Sequence, residues 1–169
     1  MNMRKLAAFV MFSATLAGVT ACEDDSEGPD DDTEVFTATL NAAQEPPTGG
    51  VAVVSSGTGT ARVELTPTGL TYTVNITSPL TTAITLAHIH GSPTSVPGVN
   101  AGVLINLNPN LTITTGTLAQ GVATGPTTNN AAISMDSLKV LMRAGLTYVN
   151  VHTSRYGGGE IRGQLLPAN

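Results

Sequence analysis

The chain has 169 residues, with 7 Lys plus Arg against 12 Asp plus Glu, three histidines, one cysteine and no tryptophan. That length suits one domain with short appendages rather than two. A formal charge of -5 argues against a nucleic-acid partner, and one cysteine excludes an intrachain disulfide or a Cys-rich zinc site.

Residues 1–21 read as a targeting segment. Arg4 and Lys5 form a short positive start, and Leu6 to Val19 is almost uninterrupted apolar sequence. This run is shorter than the roughly 20 residues a membrane span takes, and it suits the h-region of a signal peptide. Val19-Thr20-Ala21-Cys22 follows. It resembles the lipobox of bacterial lipoproteins, in which the cysteine receives a diacylglycerol thioether, the signal is cut before it and the new terminus is acylated. The resemblance implies lipidation at Cys22 and an anchor of several acyl chains, which holds where one alone is marginal. The alternative is an ordinary secretory signal cut after Ala21. A lone free thiol in an oxidising compartment is a liability, which favours the lipoprotein reading.

Residues 22–34 are the cysteine and a tether, EDDSEGPDDDTE, in which eight of twelve residues are acidic. Such a run repels itself and has nothing to bury. With it set aside, four acidic residues face Arg62, Lys139, Arg143, Arg155 and Arg162. The folded part is near neutral, so the overall charge says nothing about its partners.

Residues 35–169 are long enough for one core, and their Thr, Val and Ile runs broken by Pro, Gly and Asn predict antiparallel strands in a sandwich or barrel. Phe36, Ala38, Leu40 and Ala42 mark the first strand. Glu45-Pro46-Pro47 follows as a turn from which Glu45 can approach the polar residues described below. Gly57-x-Gly59 has no lysine and no following helix, so it reads as a bulge rather than a phosphate loop. Ala61, Val63 and Leu65 alternate next, and Pro67-Thr68-Gly69 turns the chain into Leu70–Ile76, the clearest alternating run. Val103, Ile105 and Leu107 mark a later strand, with weaker candidates at Leu111–Ile113 and Thr117–Val122. Only Ser134–Gly145 breaks the period: Leu138, Leu141 and Met142 fall at helical spacing, Ser134 or Asp136 can cap the start, and Gly145 can take a left-handed stop.

The histidines lie in two segments. In Leu86-Ala87-His88-Ile89-His90-Gly91, the spacing of two puts both imidazoles on one strand face, with Cα atoms about 6.5–7 Å apart. Ile84 and Leu86 share that parity, so the histidines are expected to continue an apolar face. The second segment, Leu146–Leu165, reads as a hairpin around Gly157-Gly158-Gly159. Tyr148, Asn150 and His152 share a face of its first strand, and Glu160, Arg162 and Gln164 a face of its second. Pairing centred on Tyr156 sets His152 opposite Glu160 and Asn150 opposite Arg162. Two readings stay open. In one, His88 and His90 chelate zinc or copper, with His152 as third ligand and Glu160 as fourth ligand or orienting partner. In the other, the same groups and Tyr148, Asn150, Arg162 and Gln164 form a buried network that satisfies itself. No serine sits in a nucleophile elbow, so no catalytic set is expected.

The blocks Phe36–Leu40, Asn41-Ala42-Ala43-Gln44-Glu45-Pro46-Pro47, Gly57–Ala61, Ala87-His88-Ile89-His90-Gly91, Tyr148–Thr153 and Gly158–Gln164 together resemble the CHRD domain. That domain was first recognised as a repeat in chordin and is widespread in secreted and lipid-anchored bacterial proteins. The resemblance covers nearly all of residues 35–166. It implies an all-β fold, an antiparallel Greek-key sandwich of immunoglobulin-like character located outside the cytoplasm, to which the period at Ser134–Gly145 adds one short helix. It implies no common reaction. Where the family often has HIHGPA, this chain has His90-Gly91-Ser92-Pro93-Thr94. A superficial likeness to copper-zinc superoxide dismutase fails on the histidine count, the bridging aspartate and the disulfide. The expectation is a non-enzymatic binding module of the bacterial envelope, periplasmic or on the cell surface. The anchor at Cys22 ties it to the membrane, its ligand is an unknown protein or envelope component, and no cofactor is required. A copper or zinc protein using His88, His90 and His152, or a purely structural module, are the alternatives.

Overall fold

The structure, a computed structural model, describes residues 33–94, 96–125 and 133–168. The signal segment, Cys22 and all but the end of the acidic tether lie outside the described residues.

Among the described residues the strands are β1 (Glu34–Asn41), β2 (Thr58–Thr66), β3 (Gly69–Ser78), β4 (Ile84–Gly91), β5 (Val103–Asn106), β6 (Gly116–Ala123), β7 (Thr147–Thr153), β8 (Ile161–Gln164) and β9 (Leu166–Pro167). A 3₁₀ turn at Ala42–Gln44 follows β1, and one helix, α1 (Met135–Arg143), precedes β7. The strands form one antiparallel sheet in the order β5-β4-β7-β8-β1-β2-β3-β6, with β9 beside β1. Its edge strands, β5 and β6, are consecutive in sequence. The segment between them ties back through Asn110, whose N–H donates to Leu118 O at 2.6 Å. The result is a nearly closed, barrel-like sheet.

Alternation explains the first three strands. Phe36, Ala38 and Leu40 of β1 lie opposite Val63, Ala61 and Gly59 of β2, which lie opposite Tyr72, Val74 and Ile76 of β3. Each row points into one core, and the intervening Thr37, Thr39, Thr60 and Thr73 face outward. Burying a side chain such as Phe36 or Val74 contributes about 1.5–3 kcal/mol. Pro67 and Thr68 form the two-residue turn between β2 and β3, and the pairing shifts between Thr58 and Gly59, where the sequence placed a bulge.

The helix forms where its period predicts. Ser134 caps it, accepting from Ser137 N at 3.2 Å, and Leu138, Leu141 and Met142 join the common core. Gly145, at φ +65°, ends it: the N–H groups of Gly145 and Leu146 donate to Met142 O and Leu141 O, both at 2.9 Å. Lys139 Nζ donates to Pro67 O and Arg143 pairs with Glu34, so α1 lies at the end of the sheet where β2 turns and β1 begins.

Three expectations from the period need correction. Leu111–Ile113 opens in a turn instead of a strand; Asn110 Oδ1 accepts from Thr112 N and Thr112 Oγ1, an Asx turn that competes with extended pairing. In β5 the buried pair is Leu104 and Ile105, and Val103 is only partly covered. The histidines also do not continue an apolar face. The β4–β7 pairing shifts between Ile84 and Leu86, so Ile84 joins the core while Leu86 is 52% exposed. Beyond that irregularity the core side of β4 is Ala87 and Ile89, and His88 and His90 point the other way.

Candidate functional site

β7 is buried along both faces. Val149 and Val151 face the core, with Ala87 and Ile89 of β4 on one side and Ile161 of β8 on the other. The opposite face carries the polar residues. Leu86 pairs with His152, His88 with Asn150 and His90 with Tyr148; across the next ladder Asn150 pairs with Arg162 and Tyr148 with Gln164. The register inferred for the hairpin is observed at Asn150↔Arg162, but the ladder begins at Val151↔Ile161 and His152 and Glu160 do not pair in it. His88, His90, Tyr148, Asn150, His152, Arg162 and Gln164 therefore emerge on one side of three adjacent strands.

The loops around this face supply its roof. His90 Nδ1 lies 3.0 Å from Ala101 O, and His152 Nδ1 lies 3.0 Å from Gly157 O. A carbonyl only accepts, so both Nδ1 atoms carry the proton and both Nε2 atoms carry the lone pair. His152 Nε2 faces His88 Nδ1 at 3.0 Å, so the His88 Nδ1–H donates to it. His90 Nε2 is buried and has no partner. The three rings are 7–8% exposed, and one ligating nitrogen from each lies within 4.8 Å of the others. Burial holds His88 and His90 down to about 4; for His88 the neighbouring His152 adds to it, and for His90 the Ala101 carbonyl opposes it. Burial also lowers His152, against the pull of the Gly157 carbonyl. All three imidazoles are neutral at pH 7, the form that binds a metal.

The donor set fits a transition-metal ion. Metal–nitrogen bonds of about 2.0–2.1 Å separate tetrahedral ligand atoms by about 3.3 Å, close to the spacing of His88 and His152. Backbone carbonyls on the remote nitrogens of His90 and His152 fix ring orientation and tautomer, as outer partners of ligating histidines do. A metal would take the place of the His88 Nδ1 proton, which moves to Nε2 of the same ring to give its other neutral tautomer, and would satisfy His90 Nε2.

Tyr148 stacks on His90, ring centroids 5.0 Å apart and planes within 3°. The Arg162 guanidinium lies against the Tyr148 ring, 3.3 Å from its centroid, and donates to Val99 O at 2.9 Å and Asn100 Oδ1 at 3.3 Å. The Tyr148 hydroxyl accepts from Ala101 N at 2.9 Å, so it braces the segment that orients His90. Glu45 does approach the cluster. Its carboxyl is buried beside Asn150 and Gly159, and burial pushes it up to about 7 against the pull of Arg162. Glu45 Oε1 and Asn150 Oδ1 have no partner in the buried site, which a proton on Glu45 would supply.

Glu160 is not with the histidines. It precedes β8 outside the ladder, so strand parity no longer directs its side chain. Its carboxylate lies with Thr153, the neighbour of His152 on the other face, and accepts from Ser55 Oγ (2.6 Å), Thr81 N (2.7 Å), Thr81 Oγ1 (2.8 Å) and Thr153 Oγ1 (2.7 Å). These bonds outweigh burial and lower its pKa. Gln164 likewise turns away, donating to Gly145 O and Thr147 O at 2.6 and 2.7 Å. Glu160 and Gln164 pin loops, while His88, His90 and His152 converge. Sequence reasoning missed the carbonyls of Ala101 and Gly157. The glycine run marked the second as a turn, and nothing in the sequence marked the first.

No curated protein and no solved structure matches the chain. The CHRD domain matches residues 36–165. That span runs from the first core residue of β1 to the end of β8 and takes in every residue of the site. The chain belongs to the CHRD domain family.

Proposed function

We propose that this protein is a lipid-anchored, extracytoplasmic, non-enzymatic binding module that holds one copper or zinc ion through His88, His90 and His152. The observation that carries the metal reading is His90 Nε2, a buried lone pair without a partner beside two further imidazole nitrogens. Leaving such an acceptor unsatisfied costs about 1–3 kcal/mol, and a metal ion removes that cost. The anchor rests on the Val19–Cys22 motif and on membership in a family common among lipid-anchored proteins. Within this reading the sheet is an immunoglobulin-like Greek-key sandwich. The β1 edge supports that, since its pairing with this chain segment is interrupted, with Asn41↔Arg162 on one side of the gap and Thr37↔Leu166 and Phe36↔Pro167 of β9 on the other among the described residues.

A purely structural role is the second reading, favoured by the His88–His152 hydrogen bond, which satisfies two of the rings without a metal. Calorimetric titration of the full-length protein in detergent with Cu(II) and Zn(II) separates the two. Binding of one ion, lost in His90→Ala and His152→Ala, is the expected result. Binding no tighter than in those variants would remove the metal reading. For the anchor, Cys22→Ser is expected to release the protein from the membrane fraction; unchanged membrane association would refute lipidation.

A further inference from the structure

We infer that the histidine face prefers cuprous copper, binding Cu(I) more tightly than Cu(II) or Zn(II), because three neutral imidazoles buried beside a fixed guanidinium form its whole donor set. This rests on the metal reading above and names its ion.

Charge is the first reason. Among the described residues the convergent group holds no carboxylate and no thiolate. Glu160 spends its oxygens on Ser55, Thr81 and Thr153, and Glu45 lies toward Asn150 and Gly159. A divalent ion would keep its full double charge in a site whose rings are 7–8% exposed. The Arg162 cation lies on the far side of the Tyr148 ring that stacks on His90, and Val99 O and Asn100 Oδ1 hold it there. These spacings put it about 8–10 Å from the site, where each added unit of positive charge on the metal weakens binding about 20-fold at an effective dielectric of about 20. Burial limits the screening that salt provides.

Coordination is the second reason. Zn(II) takes four ligands and Cu(II) prefers a tetragonal set. Cu(I) is satisfied by two or three imidazoles. The site offers three nitrogens, and its low exposure leaves little room for the waters that would complete the shell of a divalent ion.

The test compares three ions on the full-length protein in detergent. Cu(I) affinity is measured anaerobically by competition with a chromogenic cuprous chelator, Cu(II) by paramagnetic resonance titration and Zn(II) by competition with a fluorescent chelator. The expected Cu(I) dissociation constant lies about 100-fold or more below the other two, from one charge increment plus the missing ligands. Arg162→Gln, checked for folding by its melting temperature, is expected to narrow the Cu(I)-to-Cu(II) ratio about 20-fold. Cu(II) or Zn(II) binding as tightly as Cu(I), or an unmoved ratio in folded Arg162→Gln, would overturn the inference. Should that variant not fold, the three-ion comparison on the native protein decides alone. Failure of all three ions to bind would overturn the metal reading itself, a different result from loss of preference.

Discussion

Glu160 is where the two chemistries of the hairpin separate, and its substitution reads them independently. Its carboxylate accepts four hydrogen bonds that bring Ser55, Thr81 and Thr153 together from three stretches of chain. Bonds to an ionised group are worth about 1.5–3 kcal/mol each, so a simple sum overshoots for Glu160→Ala. Three of the donors are hydroxyls that can turn to other partners, and only Thr81 N–H is a fixed backbone donor. We expect Glu160→Ala to cost about 3–5 kcal/mol. Glu160→Gln should cost about 1–2 kcal/mol. Its NH₂ can take the Oε2 side, where both partners, Thr81 Oγ1 and Thr153 Oγ1, are hydroxyls able to accept. Its oxygen then keeps Ser55 Oγ and Thr81 N. Urea denaturation at pH 7, followed by circular dichroism, gives both values. Metal affinity of either variant below its unfolding transition is expected to match the native protein. Equal losses for Ala and Gln, or a tenfold fall in metal affinity in folded Glu160→Gln, would refute this account of Glu160.

Gly159→Ala is expected to destabilise the protein by about 2–4 kcal/mol. Gly159 sits at φ +131°, and a Cβ there would collide with Asn150 Oδ1 and Glu45 Oε1; a change under about 0.5 kcal/mol in the same denaturation assay would contradict the packing described. The metal-free protein should lose stability in acid. His88 and His90 stay neutral in the fold to about 4 against an ordinary 6.5, so the unfolded chain takes up protons first and stability present above pH 6.5 falls between 6.5 and 4. The loss is on the order of 3 kcal/mol per histidine before mutual coupling. Glu45, raised to about 7 from 4.5, acts with the opposite sign between those values, so Glu45→Gln should steepen the acid loss. Thermal melts from pH 8 to 4 that show no decline, or a shallower one in Glu45→Gln, would count against the buried site.

Strands that carry no extra residue of their own were legible in the sequence, even where the neighbour bulges, as β6 does opposite Val74 and Asn75. Leu70–Ile76, Ala61–Leu65 and the Tyr148–Gln164 hairpin alternate without interruption, so period and parity fixed their faces. The helix was legible too, because capping and stop residues flank a short helical period. Parity failed where the ladder is irregular. The shift between Ile84 and Leu86 reverses the face of everything after it, and no residue there announces a bulge. Glu160 was misplaced for a related reason, lying one position outside the ladder that was used to aim it. The convergence of the three histidines was legible from spacing and register together. Their orientation was not, since it depends on backbone carbonyls of Ala101 and Gly157, which any residue type can offer.

The most direct test of the central claim is an anomalous-scattering map, at the copper edge, of crystals grown with copper. A single strong peak within bonding distance of His88 Nδ1, His90 Nε2 and His152 Nε2 is the predicted result, with the Ala101 and Gly157 hydrogen bonds intact on the remote nitrogens of His90 and His152. A map with no peak among the three rings, while the rings keep the separations described above, would contradict it.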